Sequence, residues 1–167
     1  ACSAAPSPAT TPTGGAATNA RLHQFAVTSQ HTGRQYVIQV SEPVDALPTG
    51  AKAPVVYVTD GNWYFNMATG GVDDFFPCLM GEVRPFIEGR FAVDPARSVL
   101  AGQSFGGLFA TNVLLKKPDS FDGYLIGSPS LWADRSLIAA ARVLTGGEGR
   151  RVYIGVGGYE SPEMRKD

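Results

Sequence analysis

The sequence has 167 residues, of which 44% are hydrophobic and 17% charged, a balance typical of a globular protein. Lys and Arg number 14 against 15 Asp and Glu, a formal net charge of -1, and no basic stripe is present, which argues against a nucleic-acid partner. No apolar run approaches the roughly 20 residues that a membrane-spanning helix needs.

The first 20 residues carry no charge and are rich in Pro, Gly, Ser, Thr and Ala. They are predicted to be a disordered tether before one domain over residues 21–167. The N-terminus resembles the start of a mature bacterial lipoprotein, in which the cysteine is acylated: a small residue precedes Cys2, and the tether follows it. We therefore expect an extracytoplasmic location, periplasmic or lipid-anchored. The alternative is a secreted or cytoplasmic protein with a flexible N-terminus that is not acylated.

Two loosely alternating runs, residues 22–29 and 36–41, flank a turn signal and predict an antiparallel hairpin. Residues 54–59 form a near-continuous apolar run, as expected of a central strand covered on both faces. Residues 72–89 have apolar side chains three and four apart, which predicts an amphipathic helix that kinks or ends early at Pro85. Cys78, within this pattern, is expected to be a buried, inert thiol.

Strands and helices then alternate. Asp94-Pro95 predicts a turn before a strand at 98–102. The next elements are a helix at 106–117, a strand at 124–127, a helix at 136–144 and a strand at 151–156. An antiparallel start followed by this alternation predicts an α/β domain with a mostly parallel sheet and helices on both faces.

Residues 102–106 read Gly-Gln-Ser-Phe-Gly, a G-x-S-x-G motif. The motif is common by chance, but here it follows a predicted strand and opens a predicted helix, the setting that a nucleophile elbow requires. A sharp turn lifts the Ser104 hydroxyl above the strand ends, and the flanking glycines let neighbouring backbone pass closely. A tight strand-to-helix turn with an incidental serine is the alternative.

Residues 91–110 (F-A-V-D-P-A-R-S-V-L-A-G-Q-S-F-G-G-L-F-A) and 116–132 (K-K-P-D-S-F-D-G-Y-L-I-G-S-P-S-L-W) resemble the bacterial putative-esterase family. Residues 32–41 and 54–63 are similar to the hairpin and strand-turn of that family. It includes the trilactone-siderophore esterases and is related to S-formylglutathione hydrolase and the mycolyltransferases. The resemblance implies an α/β-hydrolase-type fold and a serine esterase without a metal or organic cofactor.

By position, the resemblance makes Ser104 the nucleophile and the backbone N–H of Phe105 one oxyanion-hole donor. The second donor would be Asn62, in the turn that begins at Asp60. The same resemblance puts the triad acid after the last strand, where Glu160 matches best; Asp134 and Glu163 are weaker candidates. The substrate pocket would be lined by Asp60, Trp63, Ser128 and Trp132, although ordinary packing explains the tryptophans nearly as well.

The triad order in such hydrolases is Ser, then Asp or Glu, then His. Both histidines, His23 and His31, precede Ser104, so no base is visible. In the fold that the resemblance implies, a helix, a strand and a helix lie between the strands near Val55 and Val99, and these two strands are not neighbours. The sequence shows only one helix between them. We therefore expect a chain break near residues 65–73, a missing C-terminal part, and Ser104 in an open crevice without an imidazole.

Three explanations stay open: a longer, active enzyme; a catalytically inactive hydrolase-like ligand-binding lipoprotein; or an unrecognised base. The first predicts hydrolysis of carboxylic esters, with siderophore trilactones among the candidate substrates, through an acyl-serine intermediate. The predicted partner is thus a small-molecule ester, with membrane contact only through the N-terminal lipid.

Overall fold

The computed structural model describes residues 21–43, 45–59, 71–141 and 146–158, with the backbone alone at 71 and 72. Within these ranges none of the helices is long and apolar enough to cross a membrane. The strands are β1 (Leu22–Thr28), β2 (Gln35–Ser41), β3 (Ala53–Thr59), β4 (Val93–Gln103), β5 (Gly123–Gly127) and β6 (Arg151–Gly155). The α-helices are α1 (Gly71–Cys78), α2 (Arg84–Glu88), α3 (Phe105–Lys116) and α4 (Ser136–Ala141).

β1 and β2 form the predicted antiparallel hairpin, with Leu22 opposite Ser41 and Thr28 opposite Gln35. Its turn is closed by two backbone hydrogen bonds, from Ser29 to the Arg34 carbonyl and from Gly33 to the Ser29 carbonyl, both 2.9 Å. The hairpin is a two-stranded sheet separate from the larger one.

The larger sheet is parallel, in the order β3-β4-β5-β6. Its register aligns Thr59 with Gly102 and Gly102 with Ile126, so β3, β4 and β5 end at the same edge. The α/β fold class is thereby confirmed. The predicted turn at Asp94-Pro95 is wrong as a strand boundary, because β4 runs through it with an irregular register between Ala53 and Val55 of its neighbour.

One expectation about connectivity is wrong. β3 and β4 were expected to lie apart, whereas they are direct neighbours, joined by the connection that carries α1 and α2. Parallel neighbours need such a crossover, and a helical connection is long enough to supply it. Most of the window of the expected chain break, residues 65–70 of 65–73, lies outside the described residues, so the break stays a prediction.

The helix predicted over 72–89 is divided rather than continuous. A π-helical turn at Leu79–Val83 joins α1 to α2, and the Arg84 N–H donates to the Leu79 carbonyl five residues back. Pro85 follows as the second residue of α2, and it has no N–H for the regular ladder. The widened turn just before Pro85 therefore accommodates the missing donor.

The described helices cover one face of the parallel sheet. Tyr57, Leu100 and Tyr124 lie side by side in the register and are buried in one cluster with Phe109 of α3. Among the described residues the opposite face is largely exposed, since Val58 is 72%, Val56 52% and Leu125 46% exposed. Helices on both faces were predicted, and the described part of the chain shows them on one.

A cavity of about 540 Å³ lies between the two sheets. The cavity is lined by consecutive residues of β2 and β3, because the facing edges of these two strands belong to separate sheets. Apolar side chains of the α1–α2 region form another of its walls. The cavity reaches Thr59 at the end of β3 but does not include Ser104.

Candidate active site

Ser104 stands between the end of β4 and the start of α3, as the motif predicted. Its backbone has φ 55 and ψ -116, in the positive-φ region that non-glycine residues rarely enter. Such conformations cost on the order of 1–3 kcal/mol and persist only where the surroundings impose them. Here the surroundings are two glycines and a neighbouring loop.

The glycines two before and two after Ser104 are required by close backbone approach. A Cβ on Gly102 would lie 2.2 Å from the Gly106 carbonyl oxygen, and one on Gly106 would lie 2.0 Å from the Thr59 carbonyl oxygen. The turn therefore packs its own backbone against itself and against the end of β3. The Thr59 hydroxyl adds a hydrogen bond of 3.1 Å to the Ala101 carbonyl on β4.

The loop after β5 holds Ser104 from the other side. The Ser104 N–H donates to the Gly127 carbonyl at 3.0 Å, and the Ser130 N–H donates to the Ser104 carbonyl at 3.1 Å. That same carbonyl also accepts the Leu108 N–H at 2.9 Å, the first bond of α3. Both backbone groups of Ser104 are thus fixed, which explains how the strained conformation is maintained.

The Ser104 hydroxyl has a buried neighbour that sequence reasoning missed. Ser104 Oγ lies 3.2 Å from Ser130 Oγ, and either hydroxyl can donate. Ser130 is only 1% exposed. The signal was the serine in the Ser-Pro-Ser stretch after β5, but its partner became evident only when β5 was found beside β4.

The proposed oxyanion donor Phe105 is the first residue of α3. N–H groups in a first helical turn lack an acceptor within the helix, and the positive end of the helix dipole lies with them. The second predicted donor, Asn62, lies outside the described residues, as do Asp60 and Trp63.

Trp132 lies beside the elbow in a 3₁₀ turn, Leu131–Ala133. Its ring meets that of Phe105 edge-on, with centroids 5.7 Å apart. Trp132 is 51% exposed, so about half of the indole is available for contact with a ligand. Ser128 lies directly after β5 with φ 38, and its hydroxyl accepts the Gly157 N–H at 3.3 Å.

Of the candidate acids, Asp134 is the one within the described residues. Its carboxylate accepts the Ser136 N–H at 3.1 Å and the Ser136 hydroxyl, so it holds the start of α4. Glu160 and Glu163 lie outside the described residues, as does Cys2.

Both histidines are engaged in the hairpin region. His23 Nε2 lies 2.7 Å from Glu42 Oε1, and His31 Nε2 lies 3.9 Å from Glu82 Oε1. Neither contacts Ser104, so no imidazole activates it within the described residues. No cluster of metal-binding side chains is found among those residues either.

The chain is similar in sequence to curated siderophore esterases. Over 78 residues the chain is 46% identical to a siderophore enterobactin esterase of Emericella nidulans, covering 45% of this chain and 26% of that protein. Over 69 residues it is 41% identical to the ferri-bacillibactin esterase BesA of Bacillus subtilis, covering 41% and 24% respectively. The matching segments thus span about a quarter of the length of these curated relatives.

Solved structures agree on the fold. The chain superposes on the BES protein from Bacillus cereus with a TM-score of 0.79 at 24% identity, over 95% of this chain and 82% of that one. For the siderophore hydrolase EstB from Aspergillus nidulans the TM-score is 0.70 at 23% identity, over 92% and 77%. Residues 71–166, more than half of the chain, match the family described as putative esterase. The chain therefore belongs to the putative esterase family.

Proposed function

We propose that this protein hydrolyses carboxylic esters, with Ser104 as the nucleophile. Ser104 Oγ would bond to the ester carbonyl carbon while its proton passes to a base. The base then passes that proton to the leaving oxygen as the ester C–O bond breaks, so the alcohol departs, and water hydrolyses the acyl-serine to the acid and regenerates the Ser104 hydroxyl. The observation that carries the proposal is the strained φ of 55 at a serine between a strand and a helix.

Charge on the tetrahedral intermediate would be stabilised by the Phe105 N–H at the start of α3. One such donor typically contributes about 10²–10³-fold in rate. The proposed second donor is Asn62, and the proposed triad acid is Glu160. These two assignments rest on the sequence resemblance.

The proposed substrate class is a siderophore ester. The two curated relatives carry siderophore-esterase names, and the exposed Trp132 against Phe105 offers an aromatic surface beside the nucleophile. Aromatic surfaces suit flat acyl groups, since stacked or edge-on ring pairs contribute about 0.5–1.5 kcal/mol. Which ester fits is decided by loops around the pocket.

A second candidate function is binding of the same ligands without hydrolysis. It is favoured by the position of the histidines, since His23 and His31 both lie in the hairpin region, engaged with Glu42 and Glu82. Among the described residues neither imidazole reaches Ser104, and a serine hydroxyl that no base contacts is a poor nucleophile at neutral pH.

A fluorophosphonate probe separates the two functions. The full-length wild type, expressed from the complete gene, should gain the mass of one phosphonyl group on the peptide that contains Ser104, and full-length Ser104→Ala should not react. A trilactone siderophore should be hydrolysed by the wild type alone. Calorimetric binding of the trilactone to both proteins, with no labelling or turnover in either, would establish the binding function instead.

We also propose that Cys2 is lipidated and that the protein is extracytoplasmic. The support is the sequence alone, a small residue and Cys2 before an uncharged stretch rich in Pro, Ser and Thr. Expression from the complete gene with an alkyne fatty acid should label the wild type and not Cys2→Ala. Equal labelling of the two proteins, or none, would contradict lipidation at this position.

A further inference from the structure

The loop after β5 brings a buried second hydroxyl to the proposed nucleophile. Ser130 is 1% exposed, and its Oγ lies 3.2 Å from Ser104 Oγ. Among the described residues, Ser130 is the side chain that hydrogen-bonds to the Ser104 hydroxyl. A buried hydroxyl generally needs a partner, so this contact satisfies Ser130 as well.

Backbone hydrogen bonds hold Ser104 and Ser130 side by side, independently of the contact between their hydroxyls. The Ser130 N–H donates to the Ser104 carbonyl, and the Ser104 N–H donates to the carbonyl of Gly127, where β5 ends. Removal of the Ser130 hydroxyl alone therefore leaves the two loops clamped together. This arrangement makes the contribution of the hydroxyl measurable by itself.

We propose that Ser130 is a positioning residue that holds the Ser104 hydroxyl in one rotamer. The proposal rests on the nucleophilic role proposed for Ser104. A serine side chain has three staggered positions about χ1, and a fixed acceptor or donor at 3.2 Å selects one of them. When Ser104 gives its own proton to a base, Ser130 is the partner that can donate to Ser104 Oγ, so the contact persists as the attack begins.

Another buried serine provides a matched control. Ser98, on the same strand that leads to Ser104, is also 1% exposed, but its Oγ lies 3.5 Å from the Arg84 side chain. Ser98→Ala and Ser130→Ala thus remove the same group from equally buried sites. Only Ser130→Ala removes a contact with Ser104.

The test compares wild type, Ser130→Ala, Ser130→Thr and Ser98→Ala by fluorophosphonate labelling and by urea unfolding. Ser130→Ala should label about three- to tenfold more slowly, the effect of losing one rotamer constraint and one hydrogen bond. Its half-saturating probe concentration should be unchanged. Ser130→Thr, which keeps a hydroxyl, should recover most of the rate if it folds, and Ser98→Ala should label like the wild type.

A readout independent of reactivity is the pair of Hα–Hβ couplings of Ser104 in NMR spectra, assigned by their loss in Ser104→Ala. A single rotamer in the wild type and averaged couplings in Ser130→Ala are expected. Averaged couplings in the wild type, or labelling of Ser130→Ala within twofold of wild type, would overturn the positioning role. If no protein is labelled but the couplings change as expected, the esterase proposal fails while the positioning of Ser104 stands.

Discussion

The Thr59 carbonyl oxygen lies 2.0 Å from the place that a Cβ on Gly106 would occupy. This close approach lies between the end of β3 and the first turn of α3. Because the obstructing atom belongs to the backbone, a side chain at position 106 could not displace it by a rotamer change. The last residue of one strand and the glycine after the proposed nucleophile therefore determine together how closely the elbow can fold.

Gly106→Ala should lower the free energy of unfolding by about 1–3 kcal/mol, because backbone must shift to admit the methyl group. It should also slow labelling of Ser104 by the fluorophosphonate. Urea unfolding and labelling rates measure the two effects. Gly158→Ala, where a Cβ would meet nothing within 4 Å, is the control. Equal stability of the two variants would contradict the contact with Thr59.

Trp132→Ala should raise KM for an aromatic siderophore ester about three- to tenfold, because one ring contact near the nucleophile is lost. Labelling by a small alkyl fluorophosphonate should hardly change. Trp132→Phe keeps a ring against Phe105 and should show a smaller effect. If KM is unchanged while the free energy of unfolding falls by several kcal/mol, the indole is a packing residue and not a pocket wall.

Glu82 connects the π-helical turn to the hairpin, since its Oε1 accepts the N–H groups of Gln30 at 2.8 Å and His31 at 3.2 Å. Burial would raise the pKa of its carboxyl, but hydrogen bonds, including these two, outweigh it and lower the pKa. The stabilisation is therefore present above the unfolded pKa of about 4.3 and is lost as pH falls through the folded value.

Glu82→Gln should accordingly lower the free energy of unfolding at pH 7 by about 1–2 kcal/mol and flatten its decline between roughly pH 5 and 3. Urea titrations across that range measure both effects. Glu148→Gln removes one exposed carboxylate and controls for the change in net charge. A decline as steep in Glu82→Gln as in the wild type would contradict the role of this carboxylate.

The two faces of the parallel sheet should respond differently to truncation. Leu100 is 0% exposed and lies beneath the helices. Leu100→Ala should therefore lower the free energy of unfolding by about 2–5 kcal/mol. Val58→Ala, on the exposed face, should change the free energy of unfolding by no more than about 0.5 kcal/mol. Losses of similar size in urea unfolding would show that the second face is covered in solution.

Cys78 should resist alkylation in the folded protein. It is buried, and burial is the main cause that raises the pKa of its thiol. Because the thiolate is the reactive form, iodoacetamide should modify Cys78 at the rate of unfolding. Quantitative mass spectrometry in rising urea measures this, with the unfolded chain as the fast reference. Rapid modification in native buffer would contradict the burial.

Local patterns in the sequence predicted the elements that depend on nearby residues. The hairpin follows from alternation and a turn, and the elbow follows from Gly102, Ser104 and Gly106 between an apolar strand and a helix. The residues that signal these features lie close together in the chain, so periodicity and glycine placement are enough to reveal them, even though Thr59 and Gly127 help to hold the elbow in the folded protein. Cys78 was likewise expected to be buried from its place in the apolar helical pattern.

Contacts between distant segments were decided by the tertiary structure. The neighbouring positions of β3 and β4 depend on strand order, which no local pattern encodes, and so does the face of the sheet that the described helices cover. Ser104 and Ser130 are 26 residues apart in sequence. They come into contact because β4 and β5 pair in parallel and therefore end at the same edge of the sheet. Hydrogen bonds across a sheet act between residues that are close in space whatever their distance along the chain, and for this reason the surroundings of Ser104 had to be read from the fold.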